Sequence, residues 1–416
     1  MAFSFVHIAD VHLDTPFKSR DENLRRFLRN SLRESFKAAI DLAISERVDA
    51  LLIAGDFFDN DTLSFSTEKF ILDVFKQLDK ENINVFYAPG NHDPYGHSHR
   101  ISKIPWPKNV YIFNQSNVEA VNVYDDNGNI KAVVLGAAHK SKNESRNIAE
   151  DFPKSKLNVP HIGLLHCLVL DTNTICDHER YAPCLIKDLE VKDYTYWALG
   201  HIHKRQELQK NKPIMYSGNI MGRNSKETGA KGGYLVRIND AGEVTYSFNE
   251  LSHIRWEEII VDNISNVTNY EELKKRIFEK IEQEILKYEF DGELLIKVSL
   301  KGQCPLRFEF DDIENITELE DDIKAYFGIF YVEVSVDDLK MSIEIDKYKN
   351  QPHVLSKALE IFDDIKEDDE LLLKLKPENL AGISGKDDEE TVIYIRSLLK
   401  GADMDIATYL LGGDKP

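Results

Sequence analysis

The stretch VDALLIAGDFFD, residues 48–59, is an apolar run that stops at a glycine followed by acidic residues. The run is typical of a buried strand. Upstream, FSFVHIAD (residues 3–10) predicts another strand, and residues 23–47 between the two have apolar positions at helical spacing. Downstream, residues 66–81 predict a second helix and INVFYAPGNHD (residues 83–93) a third strand. This βαβαβ order predicts a layered α/β fold.

The remaining sequence changes character twice. From about Asn109 the predicted strands are short and joined by hairpins, as at DNGN (residues 126–129), so that residues 1–250 predict one domain with two packed mixed sheets and helices outside them. Residues 251–349 predict a small α+β domain, and residues 350–416 an acidic helical tail. The tail has apolar stripes but too little core of its own, and two interpretations stay open: a stabilising tail, or a segment that docks onto the helices of a partner.

Charge is distributed unevenly over the 416 residues, whose net charge is −20. Residues 1–250 carry 31 basic and 33 acidic residues, whereas residues 251–416 carry 21 and 39. Because the second part would repel a polyanion, contact with nucleic acid is expected on the first.

Membrane insertion and disulfide bonding are not indicated. The longest apolar stretch, IGLLHCLVL (residues 162–170), is too short to cross a bilayer. The cysteines show no disulfide spacing and fit free thiols in a reducing compartment: Cys167, Cys176, Cys184 and Cys304. The sequence therefore predicts a cytoplasmic protein with no membrane contact.

Polar side chains follow the predicted strands of the first domain, in the motifs HIADVH, AGDFFD, PGNHD, GLLHC and LGHIH. Ligand sites in α/β sheets lie outside the carboxyl ends of the strands, so we expect these side chains to converge. Carboxylate, amide and imidazole groups together suit divalent metals of hard to borderline character. The candidate ligands are Asp10, His12, Asp56, Asn91, His166, His201 and His203.

Seven ligands are too many for one ion and divide sensibly between two that share Asp56. Two metals roughly 3.5–4 Å apart form the clamp used for displacement at phosphorus. His201 and His203, two positions apart in extended backbone, project to the same side and can serve one metal each. His92 follows a candidate ligand and is placed to stabilise charge or protonate a leaving oxygen.

The five motifs, in this order, resemble those of the calcineurin-like metallophosphoesterase family, and within it the SbcD-type DNA repair nucleases and their YhaO-like branch. The resemblance covers residues 1–250. It implies a four-layer α-β-β-α sandwich with a small α+β capping domain, two Mn²⁺ ions (or other divalent metals), a homodimer and an SbcC-type coiled-coil ATPase as partner. It also implies His92 as the catalytic residue, with one metal held by Asp10, His12, Asp56 and His203 and the other by Asp56, Asn91, His166 and His201.

The activity implied by the resemblance is hydrolysis of DNA phosphodiester bonds, as an exonuclease with single-strand endonuclease activity as a second mode, in DNA double-strand break repair. Two alternatives stay open. One is a phosphodiesterase acting on a small molecule such as a cyclic nucleotide. The other is a regulatory subunit that scaffolds an ATPase and has a vestigial metal site.

Three further acidic residues are expected to support the ligands. Asp59 is predicted to orient a ligand or to cap the following segment, at a position where some family members have a second histidine. Asp93 is predicted to brace the loop of His92, and Asp14 either to orient His12 or to serve as a turn residue.

A basic, glycine-rich run follows the last motif. Lys204, Arg205, Arg223 and Lys226 are candidates to contact a nucleic-acid backbone, and an ordinary solvated face is an equal alternative. By contrast, His97 and His99 follow no predicted strand and are predicted to be solvated loop histidines.

Overall fold

The computed structural model describes residues 2–19, 21–59, 63–95, 103–156, 158–170, 180–287, 290–341, 347–348, 352–376 and 387–412. In chain order, its strands are β1 Phe3–Ile8, β2 Ala50–Ile53, β3 Asn84–Tyr87, β4 Val110–Ile112, β5 Glu119–Tyr124, β6 Ile130–Gly136, β7 His161–His166, β8 Val169–Leu170, β9 Cys184–Leu185, β10 Tyr196–Gly200, β11 Gln206–Gln209, β12 Ile214–Tyr216, β13 Gly232–Ile238, β14 Val244–Glu250, β15 Ile254–Val261, β16 Glu293–Cys304 and β17 Tyr331–Met341. The helices are α1 Glu22–Ser45, α2 Phe65–Lys80, α3 Ile186–Glu190, α4 Tyr270–Ile285, α5 Ile313–Phe327, α6 Val354–Glu367, α7 Asp369–Leu375, α8 Asp388–Leu398 and α9 Ala402–Gly412.

The chain divides into two compact units. The first comprises Met1–Glu258, Glu289–Lys297 and Gly328–Tyr331, and the second Ile259–Tyr288, Val298–Phe327 and Val332–Pro416.

The first unit contains two six-stranded mixed sheets. The first sheet has the order β14-β13-β1-β2-β3-β4, in which β1 to β4 run parallel and β13 lies antiparallel to β1. The second sheet has the order β11-β12-β10-β7-β6-β5, in which β12, β10, β7 and β6 run parallel. The two sheets share one apolar core, to which Phe5 and Leu52 contribute from the first sheet and Val134 and Leu164 from the second.

Helical layers cover the outer faces of both sheets. Helices α1 and α2 pack on the first sheet through residues such as Leu28, Phe36 and Ile71. Asp21 immediately precedes helix α1, and its carboxylate accepts the N–H groups of Asn23 and Leu24 and so caps the free helix end. On the second sheet the layer is thinner and consists of α3 and the 3₁₀ turn Ile148–Asp151, packed with Trp197 and Leu199. The predicted four-layer α-β-β-α sandwich is thereby confirmed.

The second unit holds α4 to α9 and those parts of β15, β16 and β17 that fall within its ranges. Its C-terminal helices form small apolar clusters, one around Leu355 and Leu359 and one around Leu372 and Val392. The helical C-terminal part is therefore as predicted, whereas the domain boundaries at residues 250 and 349 stay a prediction. Within the described residues no helix is long and apolar enough to cross a membrane.

The cysteines within the described residues, Cys167, Cys184 and Cys304, are free and buried. The predicted thiol at Cys176 lies outside the described residues, as do His97 and His99.

Candidate metal centre

The loops after β1 and β2 run side by side and hold three of the candidate ligands together. Asp10 donates its N–H to the carbonyl of Gly55 at 3.2 Å, and His12 donates its N–H to the carbonyl of Asp56 at 2.9 Å. These bonds continue the parallel pairing of β1 with β2 beyond the ends of the strands. The side chains of Asp10, His12 and Asp56 are all buried.

Several candidate ligands have strained backbone. Asp10, His12, Asp56 and His201 have φ angles of 50°, 52°, 47° and 102°, in the left-handed region that non-glycine residues rarely adopt. Each such residue costs on the order of 1–3 kcal/mol and persists only where the surrounding structure enforces it. Their concentration at one place indicates a site where side-chain direction matters more than backbone relaxation.

Glycines let the two sheets come close at this edge. Gly200, at the end of β10, approaches the loop after β2 so closely that a Cβ on it would overlap the carbonyl oxygen of Ala54. Gly55, with φ +82°, leaves the space that the ring of His166 fills. Ligands from the first sheet can therefore meet those from the second.

We call Asn91, His166 and His201 the carbonyl-braced half of the centre, because His166 Nδ1 bonds the main-chain oxygen of Ala54 at 3.0 Å. His166 Nε2 then has no proton and faces two further acceptors, Asn91 Oδ1 at 2.9 Å and Asp56 Oδ2 at 3.4 Å. The ring of His201 lies edge-on to that of His166, with 5.3 Å between ring centres.

We call Asp10, His12 and His203 the carboxylate-braced half. His12 Nδ1 donates to Asp59 Oδ1 at 3.0 Å, and His203 Nδ1 donates to Glu227 Oε1 at 2.8 Å. The Nε2 atoms of the two rings face each other at 3.2 Å. Burial opposes ionisation of His203, but the hydrogen bond to Glu227 and the carboxylate of Asp10 raise its pKa above the usual value.

The donor set fits divalent cations. In both halves, nitrogen and oxygen atoms of imidazole, amide and carboxylate groups converge, an arrangement that a cation would stabilise. Among the residues that the structure describes, three groups have ligand atoms within 4.8 Å of one another: Asp10, His12 and His203; His12, Asp56 and His92; and Asp10, Asp56 and His166. Asp10, His12 and Asp56 each belong to two of these groups, and the sharing of Asp56 between two metals stays a prediction.

Burial favours the neutral form of most side chains in the centre, with His203 as the exception. Burial, followed by the nearby carboxylates of Asp93 and Asp10, raises the pKa of Asp56 well above its usual value. Burial also raises the pKa of Asp10 to about 6, and it lowers the pKa of His12 and of His166. Metal ligands must be deprotonated, so a cation bound here would displace the protons that burial favours on these carboxyl groups.

His92 lies at the rim of this centre. Its N–H donates to Asp56 Oδ1 at 2.8 Å, and its side chain is half-exposed. His92 Nδ1 lies 2.9 Å from Asp59 Oδ1, the same oxygen that accepts from His12. Burial opposes ionisation of Asp59, but the hydrogen bonds from His12 and His92 hold its pKa below the usual value.

The other two predicted supporting acids hold loops. The buried carboxylate of Asp93 accepts from Phe58 N–H at 3.1 Å, Gly90 N–H at 2.7 Å and the hydroxyl of Tyr87, and so ties the loop after β2 to the loop after β3. The carboxylate of Asp14 accepts from Ser64 N–H at 2.7 Å and from Thr67 Oγ1 at 2.6 Å. These contacts place Asp14 at the start of α2.

A cleft of about 890 Å³ opens beside the centre. Asp56, Asn91 and His92 line it, together with the predicted phosphate contacts Lys204 and Lys226. The other two predicted contacts have protein partners: the guanidinium of Arg205 lies 3.7 Å from the ring centre of Phe248, and Arg223 pairs with Asp59 at 3.1 Å. The use of these four residues in substrate binding stays a prediction.

Sequence reasoning missed several residues of the site. Glu227 holds the ring of His203. Burial opposes ionisation of Glu227, but the hydrogen bond from His203 outweighs this effect and lowers the pKa of Glu227 to about 2. His139 bonds the carbonyl of His166 at 2.6 Å, and Lys142 and Tyr181 line the cleft. The one available signal was the unusual glycine-rich sequence around Glu227 (residues 218–233), which marks a special loop but not its contacts.

Comparison with known proteins gives the following likenesses. Residues 3–205 match the calcineurin-like phosphoesterase family. The chain is 33% identical over 308 residues to YhaO of Bacillus subtilis (strain 168), an uncharacterized metallophosphoesterase, covering 73% of this chain and 72% of that protein. It is 25% identical over 340 residues to the DNA double-strand break repair protein Mre11 of Methanocaldococcus jannaschii, covering 76% and 86%. A solved dimetal phosphatase from Danio rerio aligns with a TM-score of 0.34 at 14% identity, over 59% of this chain and 99% of that one.

Proposed function

Because this chain belongs to the calcineurin-like metallophosphoesterase family, we propose that it is a phosphodiesterase that cleaves DNA. Family membership makes it a metal-dependent phosphoesterase, a hydrolase acting on ester bonds. The choice of DNA, and of exonuclease action with single-strand endonuclease activity as a second mode, is our proposal.

The cleft is the observation that carries the proposal. Residues of the candidate metal centre share it with four lysines, Lys142, Lys204, Lys226 and Lys231. Lysines beside a phosphate-cleaving centre favour a substrate with several phosphates, because each neutralised phosphate adds to affinity. The relative from Methanocaldococcus jannaschii, which is named for DNA double-strand break repair, gives independent support.

The ligand assignment in this proposal follows the two halves. Asp10, His12, Asp56 and His203 would hold one ion, and Asp56, Asn91, His166 and His201 the other. When bound, such ions neutralise charge on the phosphate oxygens and make water a better nucleophile. Mn²⁺ is the proposed metal because the family resemblance implies it, and the mixed set of carboxylate, amide and imidazole ligands suits divalent metals of hard to borderline character in general.

His92 is the proposed general acid. Its Nδ1 is engaged by Asp59, so Nε2 is the ring nitrogen left for a substrate in the cleft that His92 lines. In the imidazolium form, Nδ1 keeps its proton against Asp59 and Nε2 carries a second one. Donation of that second proton to the leaving oxygen returns His92 to the neutral form and prevents the build-up of alkoxide charge, an effect typically worth 10²–10⁴-fold in rate.

The cellular setting in this proposal is DNA double-strand break repair in the cytoplasm, with an SbcC-type coiled-coil ATPase as partner and a second copy of the chain in a homodimer. The sequence resemblance supports these assignments. Affinity purification from cells, followed by identification of bound proteins and light scattering of the purified chain, tests them.

Incubation of the purified protein with end-labelled duplex DNA, with and without Mn²⁺, tests the activity. We expect Mn²⁺-dependent cleavage that His92→Ala reduces by about 10²-fold or more. His253→Ala, which truncates an exposed histidine away from the centre, serves as the matched control. Absence of cleavage by the wild type, or equal cleavage by His92→Ala, contradicts the proposal. Turnover of bis-p-nitrophenyl phosphate without DNA cleavage favours a small phosphodiester as substrate.

A further inference from the structure

We infer that Arg223 is a positioning residue for His92, acting through Asp59, and not a contact for the substrate backbone. The inference rests on the proposed function in one respect, the role of His92 as general acid. The other part, that Arg223 fixes the position of Asp59 and so the orientation of His92, does not depend on any substrate or activity.

Asp59 is the junction of the arrangement. One carboxylate oxygen, Oδ1, accepts from both His92 and His12, at 2.9 Å and 3.0 Å. The other oxygen, Oδ2, receives Arg223 Nη2 at 3.1 Å. The side chain of Asp59 is only 8% exposed, so that water has little access to replace a lost partner.

Arg223 is held from behind by its own loop. Its N–H donates to Glu227 Oε2 at 2.7 Å. The preceding carbonyl, that of Gly222, accepts from Trp256 Nε1 at 3.1 Å, and Gly229 N–H donates to the carbonyl of Trp256 at 2.9 Å. The loop is therefore anchored on both sides of Arg223, and the guanidinium approaches Asp59 from a fixed direction.

This anchoring has a consequence for His92. A carboxylate that shares one oxygen between two imidazoles can turn about its side-chain bonds and favour one of them. With Arg223 fixed on Oδ2, Asp59 is kept where Oδ1 reaches both rings. Without Arg223, the buried ligand His12 can retain its bond while the half-exposed His92 loses its own, since only His92 can reach solvent instead.

Two substrates that differ only in their leaving group test the catalytic consequence. With a DNA dinucleotide, whose leaving oxygen needs a proton, we expect Arg223→Ala to lower kcat by about 10–100-fold. With thymidine 5′-p-nitrophenyl phosphate, whose leaving group departs without a proton, we expect little change in kcat, and little change in KM for either substrate. Arg223→Lys should restore part of the loss. Arg237→Ala, an exposed arginine paired with Glu46, should leave both rates unchanged.

Equal losses on the two substrates, or a rise in KM alone, would overturn the inference, the latter by pointing to substrate contact. Metal analysis and thermal unfolding of each variant separate these outcomes from lost metal or lost fold.

A spectroscopic measurement tests the geometry without any activity. In the Zn²⁺-loaded, ¹⁵N-histidine-labelled protein, long-range ¹H–¹⁵N spectra should show the proton of His92 on Nδ1, with the signal assigned by its absence in His92→Gln. In Arg223→Ala we expect this fixed tautomer to be lost while that of His12 is kept. An unchanged His92 signal overturns the inference. Failure of the wild type to cleave either substrate contradicts the proposed function but leaves this measurement valid.

Discussion

In the carboxylate-braced half of the centre, the charged groups of Asp59 and Glu227 hold the rings of His12 and His203, whereas in the carbonyl-braced half the main-chain oxygen of Ala54 holds His166. A carboxylate behind an imidazole raises its basicity and fixes its tautomer, and a carbonyl does the second more than the first. The first half should therefore be sensitive to the charge of side chains, and the second to the path and the space of the backbone.

The largest effect is expected where the two halves meet. Asp56→Asn keeps the size of the side chain, and asparagine tolerates the left-handed backbone at this position. We expect kcat to fall by at least about 1,000-fold, equivalent to about 4 kcal/mol, and metal to be lost from both halves. Metal content and kcat at saturating Mn²⁺ check this.

The metal-free form provides the control for this variant. Because burial raises the pKa of Asp56, replacing its carboxylate by an amide should not lower the free energy of unfolding without metal. Retention of metal in one half would show that the halves do not share Asp56.

Gly55→Ala tests the dependence of the carbonyl-braced half on space. The added Cβ would overlap the ring of His166 at a φ of +82°, so we expect strain and overpacking to lower the free energy of unfolding by about 3 kcal/mol. Urea denaturation measures the loss.

Gly128→Ala is the matched control, with a φ of +80° and open space around its Cβ. It should cost only about 1 kcal/mol. Equal losses in the two variants would mean that backbone strain, and not the contact with His166, accounts for the effect.

Glu227→Gln tests the dependence of the carboxylate-braced half on charge. The carboxylate accepts from His203 through Oε1 and from Arg223 N–H and Asn219 Nδ2 through Oε2, whereas the amide has one acceptor oxygen. The amide also no longer increases the basicity of the His203 ring, so we expect the affinity for one metal to fall by about 10–100-fold and that for the other to stay unchanged. Calorimetric titration with Mn²⁺ resolves the two. A uniform fall in both affinities would break the distinction between the halves.

The smallest effect is expected at Asp14. Its carboxylate holds Ser64 and Thr67 at the start of α2, so Asp14→Asn should lower the free energy of unfolding by about 1 kcal/mol. Metal affinity should be unchanged. A clear loss of metal would instead favour the alternative prediction that Asp14 orients His12.

The layered fold and the meeting of the motifs could be predicted because both depend on local patterns. Apolar runs that end in Asp, Asn or His mark the ends of parallel strands, and these ends share one edge of a sheet. The structure accordingly brings Asp10, His166 and His203 into one cluster although they are far apart in sequence. Their assignment as ligands stays a prediction.

The contacts of the glycine-rich loop could not be predicted. Residues 218–233 have no apolar periodicity, and their path depends on bonds to Trp256, a residue beyond the two following strands. The sequence therefore shows that Arg205 and Arg223 are basic, but not that one lies on Phe248 and the other on Asp59. For the same reason, the sequence alone does not distinguish Glu227 from an acidic residue on the surface.

The contact of Gly200 with Ala54 sets a dimension of the molecule. Because main chain meets main chain there, the separation of the two sheets at this edge is fixed by atoms common to every amino acid. Exchanges of apolar residues deeper between the sheets can then alter the packing of the interior without altering the distance between the two sets of candidate ligands. Substitutions in the core should therefore leave the spacing of the candidate metal centre unchanged.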